Sequence, residues 1–165
     1  STPHHAAKIL EAISSHPVAQ EELVAAGWHV EMLRLMGLPS SSLVLKKTLA
    51  TVVCNLAKLP GNAAELGRAG AVSALQAEQD FSPKLARQRV RFALSRLAEV
   101  LQGSYPSIVA SLPPEEQALV RKLAAAEAEA AKHPLHSIRA SLVESGVLLY
   151  FHTAAGGAVW GRARR

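Results

Sequence analysis

The sequence predicts an all-α chain built as a solenoid, with helical units stacked one on the next. Three observations predict it. The first is composition: of 165 residues, 49% are hydrophobic but only 4% aromatic, so the apolar mass is Ala, Leu and Val, suited to helices in close contact through small side chains. The second is an internal repeat. "HPVAQEELVAAG" (16–27) and "LPGNAAELGRAG" (59–70) share Pro17 with Pro60, Glu22 with Glu65, Leu23 with Leu66, Ala26 with Ala69 and Gly27 with Gly70, every pair 43 residues apart. The same offset carries Ala7 onto Ala50, Leu10 onto Val53 and Ile13 onto Leu56. A fixed period of this length marks repeat arrays. The third is that no segment alternates polar and apolar residues as a half-buried strand does.

The elements follow from punctuation. "HHAAKILEAI" (4–13) and "LKKTLATVVCNLAKL" (45–59) carry apolar residues at helical spacing: Ala6, Ala7, Leu10 and Ile13 in one, Leu49, Val52, Val53 and Leu56 in the other. Pro17 and Pro60 end these helices and can open the next. A short helix follows each, closed by Gly27 or Gly70, because glycine reaches the left-handed cap conformation without a Cβ penalty. "WHVEMLRLM" (28–36) and "AVSALQAEQ" (71–79) complete the two units. "FSPKLARQRVRFALSRLAEVL" (81–101) is a third long helix with Leu85, Val90, Ala93, Leu94 and Leu97 as its apolar face, and "QGSYPS" (102–107) interrupts the pattern. "PPEEQALVRKLAAAEAEAAK" (113–132) is a strong helix, with Glu115 and Glu116 in its first turn and Lys132 at its end, as the helix dipole favours. "LHSIRASLVESG" (135–146) repeats the Leu-to-Gly spacing through Leu142 and Gly146, and "VLLYFHTAAGGAVWGRARR" (147–165) is expected as the last helix.

At this level "TLATVVCNLAKLPGNAAELGRAGAVSALQ" (48–76) resembles an armadillo repeat, whose units are three helices in about 40–47 residues. The resemblance covers 43–78 and 3–36, and extends more loosely over 84–101 and 115–160. It implies one domain over 1–165, a right-handed superhelix of three to four units at about 3–40, 41–80, 82–112 and 113–165, the last ones irregular. It also implies that the third helix of each unit lines a concave binding surface. In some members a Trp and an Asn on each of those helices clamp a peptide backbone. Here Asn55 holds the Asn position, but Ala12 and Arg96 stand there in the neighbouring units, and Thr51 and Phe92 replace the Trp. The clamp is therefore absent, which argues against a nuclear-import type of groove. The implied lining is Lys47, Thr51, Asn55, Gln88, Phe92 and Arg96.

Chemistry of other kinds finds little footing. No nucleophile elbow, phosphate loop or dinucleotide fingerprint is present. His4 and His5 point apart on a helix, and Pro134 separates His133 from His136, so no metal site is expected. His152 sits in apolar company and reads as a core histidine. The acids Glu21, Glu22, Glu115, Glu116, Glu127 and Glu129 sit at helix starts and on solvated faces, so no catalysis and no cofactor are expected. Cys54, the only cysteine, lies in an apolar run and reads as a buried hydrophobe. The chain opens on Ser1 rather than Met, as a processed or trimmed product would.

Net charge is +5, which permits anionic partners without selecting one. The basic stretch 84–96 holds Lys84, Arg87, Arg89, Arg91 and Arg96 with no acid, a stripe able to meet phosphates, with Phe92 as a stacking platform. "GVLLYFHTAAGGAVWG" (146–161) is shorter than the ~20 residues that span a bilayer. It reads first as a helix packed on its neighbour, with Gly157 and Gly161 allowing close approach, then as a partner-docking end, and last as a membrane-surface segment. The expected function is a non-catalytic protein–protein interaction scaffold or adaptor, an intracellular subunit (cytoplasmic or organellar) of a hetero-oligomeric complex. The alternatives are a nucleic-acid-contacting subunit that uses the 84–96 helix and a regulatory helical segment joined to an enzyme.

Overall fold

The computed structural model describes residues 2–81, 84–133, 135, 148–152 and 158–162. Helices run from one end of this span to residue 131: α1 (Thr2–Ile13), α2 (Pro17–Ala25), α3 (Trp28–Gly37), α4 (Leu43–Leu56), α5 (Pro60–Arg68), α6 (Ala71–Phe81), α7 (Lys84–Ser104), α8 (Pro106–Ser111) and α9 (Pro114–Ala131). Their order is long, short, medium, three times over. A proline opens α2, α5 and α8, where its missing N–H would have no helical partner in any case. Gly27 and Gly70 adopt φ of 82° and 86°, the left-handed corners expected of them. The third triplet turns differently. Leu112 and Pro113 are extended, and Gln117 Nε2 donates to the Ala110 and Leu112 carbonyls at 3.0 and 2.7 Å. The side chain of Gln117 thus satisfies the carbonyls that α8 leaves open. Ser42 starts α4 in the usual way for a cap, its Oγ accepting from the Leu45 N–H at 3.1 Å.

The triplets stack so that like meets like. α1 packs on α4 and α4 on α7; α2 packs on α5 and α5 on α8; α3 packs on α6 and α6 on α9. Three ladders result, with α7 at the centre, touching α4, α5, α6, α8 and α9. The core runs through them as one cluster in which Met32, Met36, Leu49, Val52, Leu56, Leu66, Leu75, Leu94, Leu97 and Leu101 are fully covered. Each such side chain contributes about 1.5–3 kcal/mol of hydrophobic stabilisation. Cys54 is buried. No helix among the described residues is long and apolar enough to cross a membrane.

Two expectations are corrected. The last helix, expected over 147–165, is replaced by two strands, β1 (Leu148–His152) and β2 (Ala158–Arg162), paired antiparallel with Tyr150 opposite Trp160 and His152 opposite Ala158. Tyrosine and phenylalanine in "LLYFH" and valine and tryptophan in "AVWG" suit a strand. Close helix approach through Gly157 and Gly161 falls with that helix: Gly161 lies in β2 and Gly157 outside the described residues. The break expected over 102–107 narrows to Tyr105, since α7 continues through Ser104 and α8 begins at Pro106. The Leu142–Gly146 copy lies outside the described residues.

Candidate functional site

The ladder of long helices carries the expected binding residues, and the structure sorts them into two groups. On α4, Lys47, Thr51 and Asn55 are half-buried and one turn apart. Thr51 Oγ1 donates back to the Lys47 carbonyl at 3.1 Å, and Asn55 Nδ2 reaches across to Ser14 Oγ at 3.0 Å. The Asn55 amide is thus already engaged within the protein. On α7, Gln88 and Phe92 are buried, while Arg96 is half-buried with its guanidinium 5.4 Å from the Phe92 ring centroid. That distance is within cation–π range. Burial at 88 and 92 follows from the central place of α7, which is covered on most sides.

The basic stripe is less open than its sequence implies. Arg87, Arg89 and Arg91 are each only partly exposed, and Arg87 and Arg91 share a face by their spacing. The Lys84 side chain lies outside the described residues. Glu127, expected on a solvated face, is buried on α9. Its spacing from Val120 and Leu123, three and four residues at a time, places it on the face that meets α7.

Sequence reasoning missed the polar contacts between distant segments. Lys46 Nζ bridges both carboxylate oxygens of Glu78 at 3.0 and 2.9 Å, tying α4 to α6 with side chains only 12% and 7% exposed. A second set joins the first triplet to the second. Gln20 Nε2 donates to the Ser14 carbonyl at 2.7 Å, and Asn62 Nδ2 donates to the Gln20 carbonyl at 2.9 Å. Together with Asn55 and Ser14, these form a polar seam between α1–α2 and α4–α5. His29 is buried at the start of α3. Burial pushes its imidazole below the ordinary value of 6.5, against the opposing pull of the Glu65 carboxylate and a hydrogen bond to the Val24 backbone. The only sequence signal for the seam is polar residues, Ser14 and Gln20, at positions where the second unit has alanine.

Among the described residues no group of three or more His, Cys, Asp or Glu side chains converges as a metal site would require. What the long-helix ladder offers chemically is a mixed surface: the Lys47 ammonium, the Thr51 hydroxyl and the Arg96 guanidinium over an apolar core. No family model, curated protein or solved structure matches this chain.

Proposed function

We propose that the chain is a non-catalytic protein–protein interaction scaffold or adaptor, an armadillo-like solenoid that serves as a subunit of a larger assembly. The observation that supports this reading is the three ladders, in which each helix packs on its counterpart in the next triplet. Repeat arrays stack in this way and present extended surfaces to partners. On this reading the units number three, led by α1, α4 and α7, and residues 113–131 complete the third instead of opening a fourth. The partner lies along α4 and α7, over Lys47, Thr51 and Arg96, with Asn55 fixing the first two triplets and Gln88 and Phe92 supporting the surface from beneath.

The test is native affinity purification with mass spectrometry, repeated with Thr51→Arg, whose long side chain would obstruct that surface. The expected result is a hetero-oligomer that the substitution weakens by at least about tenfold while the helical circular dichroism stays unchanged. Recovery of the chain alone and monomeric would sink the assembly reading. A complex that contains nucleic acid and falls apart steeply with salt would instead favour phosphate contacts through Arg87 and Arg91.

A further inference from the structure

A long helix in this fold sits on two helices of the triplet before it. α4 lies against α1 and α3, and α7 lies against α4 and α6. One triplet further on, the same two supports are α7 and α9. Among the described residues no helix follows α9. The hairpin takes both supports instead: β1 touches α7 and β2 touches α9. The register of the long helices shows that the forward side of α7 is closed. α1 meets α4 through the side that carries Ala7, Leu10 and Ser14, and Ser14 Oγ accepts from Asn55 there. At the 43-residue offset these three become Ala50, Val53 and Ala57 on α4, all fully covered. "SRLAEV" (95–100) follows "CNLAKL" (54–59) at an offset of 41, which carries them on to Arg91, Leu94 and Ala98. Arg91 is half-buried, while Leu94 and Ala98 are 1% and 0% exposed, as closed to water as their counterparts on α4. α9 packs on α7 within its own triplet, and β1 lies on the same helix.

We propose that the hairpin is a terminal cap: it holds the place of a fourth long helix and stops the stack there. The change of element does the stopping. A further triplet would need a long helix to seat on, whose side chains form ridges and grooves at helical spacing. A two-stranded ribbon offers a pleated face with a period of two, onto which that pattern does not register. Repeat arrays require such a cap because each unit is apolar on the side where the next one stacks. Here the occupant of that side is a segment of the chain itself. The cap depends on how the triplets stack and is independent of what lies along α4 and α7.

The test opens the hairpin in the full chain. Neighbouring residues of an antiparallel pair alternate between N–H groups that bond across the ladder and N–H groups that point away. Of Tyr150→Pro and Phe151→Pro, one therefore removes a cross-strand bond and the other serves as its control. The variant that loses the cross-strand contacts by NMR is expected to keep its helical circular dichroism. It should bind an apolar dye more strongly and self-associate at least about tenfold more tightly than the unaltered chain in sedimentation velocity, because the forward sides of α7 and α9 are uncovered. A hairpin lost with dye binding and self-association both unchanged would overturn the proposal. The unaltered chain gives a second measurement that needs no substitution. With the end closed, the central amides of α9 exchange hydrogen as slowly as those of α6; exchange in α9 at least about tenfold faster, as at the open end of a stack, would overturn it as well.

Discussion

Where the first triplet meets the second, three covered positions are polar; where the second meets the third, the register equivalents of those three are apolar. Ser14, Gln20 and His29 at the first junction have Ala57, Ala63 and Val72 as register equivalents, and all six are buried. At the first junction Asn55 and Asn62 reach back to Ser14 and Gln20 with directed hydrogen bonds. At the second, Gly67 on α5 leaves room for the side chains of Leu101 and Ile108; a Cβ there would fall 2.9 Å from Leu101 Cδ2 and 3.1 Å from Ile108 Cγ2. The first junction holds Val24 at the position of Gly67. One helical geometry is thus held by two kinds of force. The hydrogen bonds are each worth about 0.5–1.5 kcal/mol net and fix the register by direction. The glycine contact fixes it by shape, and tolerates added volume poorly.

Breaking the apolar junction should cost most. Gly67→Val places in α5 the residue that the first junction accepts at Val24, and is expected to destabilise by about 1–3 kcal/mol because the buried Leu101 and Ile108 side chains must repack to make room. Chemical denaturation would show it as a lowered midpoint with an unchanged slope. An unchanged midpoint would mean that the second junction has slack.

Asn62→Ala tests the polar junction. It removes the donor to the buried Gln20 carbonyl and should cost about 1–2 kcal/mol, most of it from leaving that carbonyl without a partner. Hydrogen exchange should quicken in α1 and α2 more than in α8 and α9, because the loss falls at one junction. Uniform quickening would show that the two junctions open together.

The smallest effect is expected at His29. Its folded-state pKa is lowered, so the unfolded chain takes up the proton more readily. The stability associated with the neutral imidazole is therefore full above about pH 6.5 and is lost as pH falls from there toward the lowered folded value. His29→Val, which copies Val72, should flatten that part of the pH profile. A slope that persists in the variant would assign it to another group.

The corners were legible in the sequence because each depends on one residue's backbone chemistry. Pro17 and Pro60 lead their helices, and Gly27 and Gly70 take positive φ, as local rules require. The periodicity of 113–132 likewise gave α9. The candidate site was less legible, because its properties depend on residues far apart in the chain. Nothing near Asn55 announces Ser14, 41 residues away, and Lys46 meets Glu78 across 32 residues. Phe92 and Gln88 look like one exposed stripe until α7 is placed at the centre of the stack. The strands Leu148–His152 and Ala158–Arg162 are not legible in the sequence, because leucine, tyrosine and phenylalanine in a short run fit helix or strand until a pairing partner is found.

The central place of α7 also bears on how the chain is made. α1 to α6 emerge from the ribosome ahead of α7, so the sides of α4, α5 and α6 that α7 will cover lack that cover in the meantime. At about 5–20 residues per second, the 21 residues of α7 take about one to four seconds to synthesise. A nascent chain paused after α6 has emerged and before α7 has would display that uncovered apolar surface for the length of the pause, the kind of surface that chaperones bind.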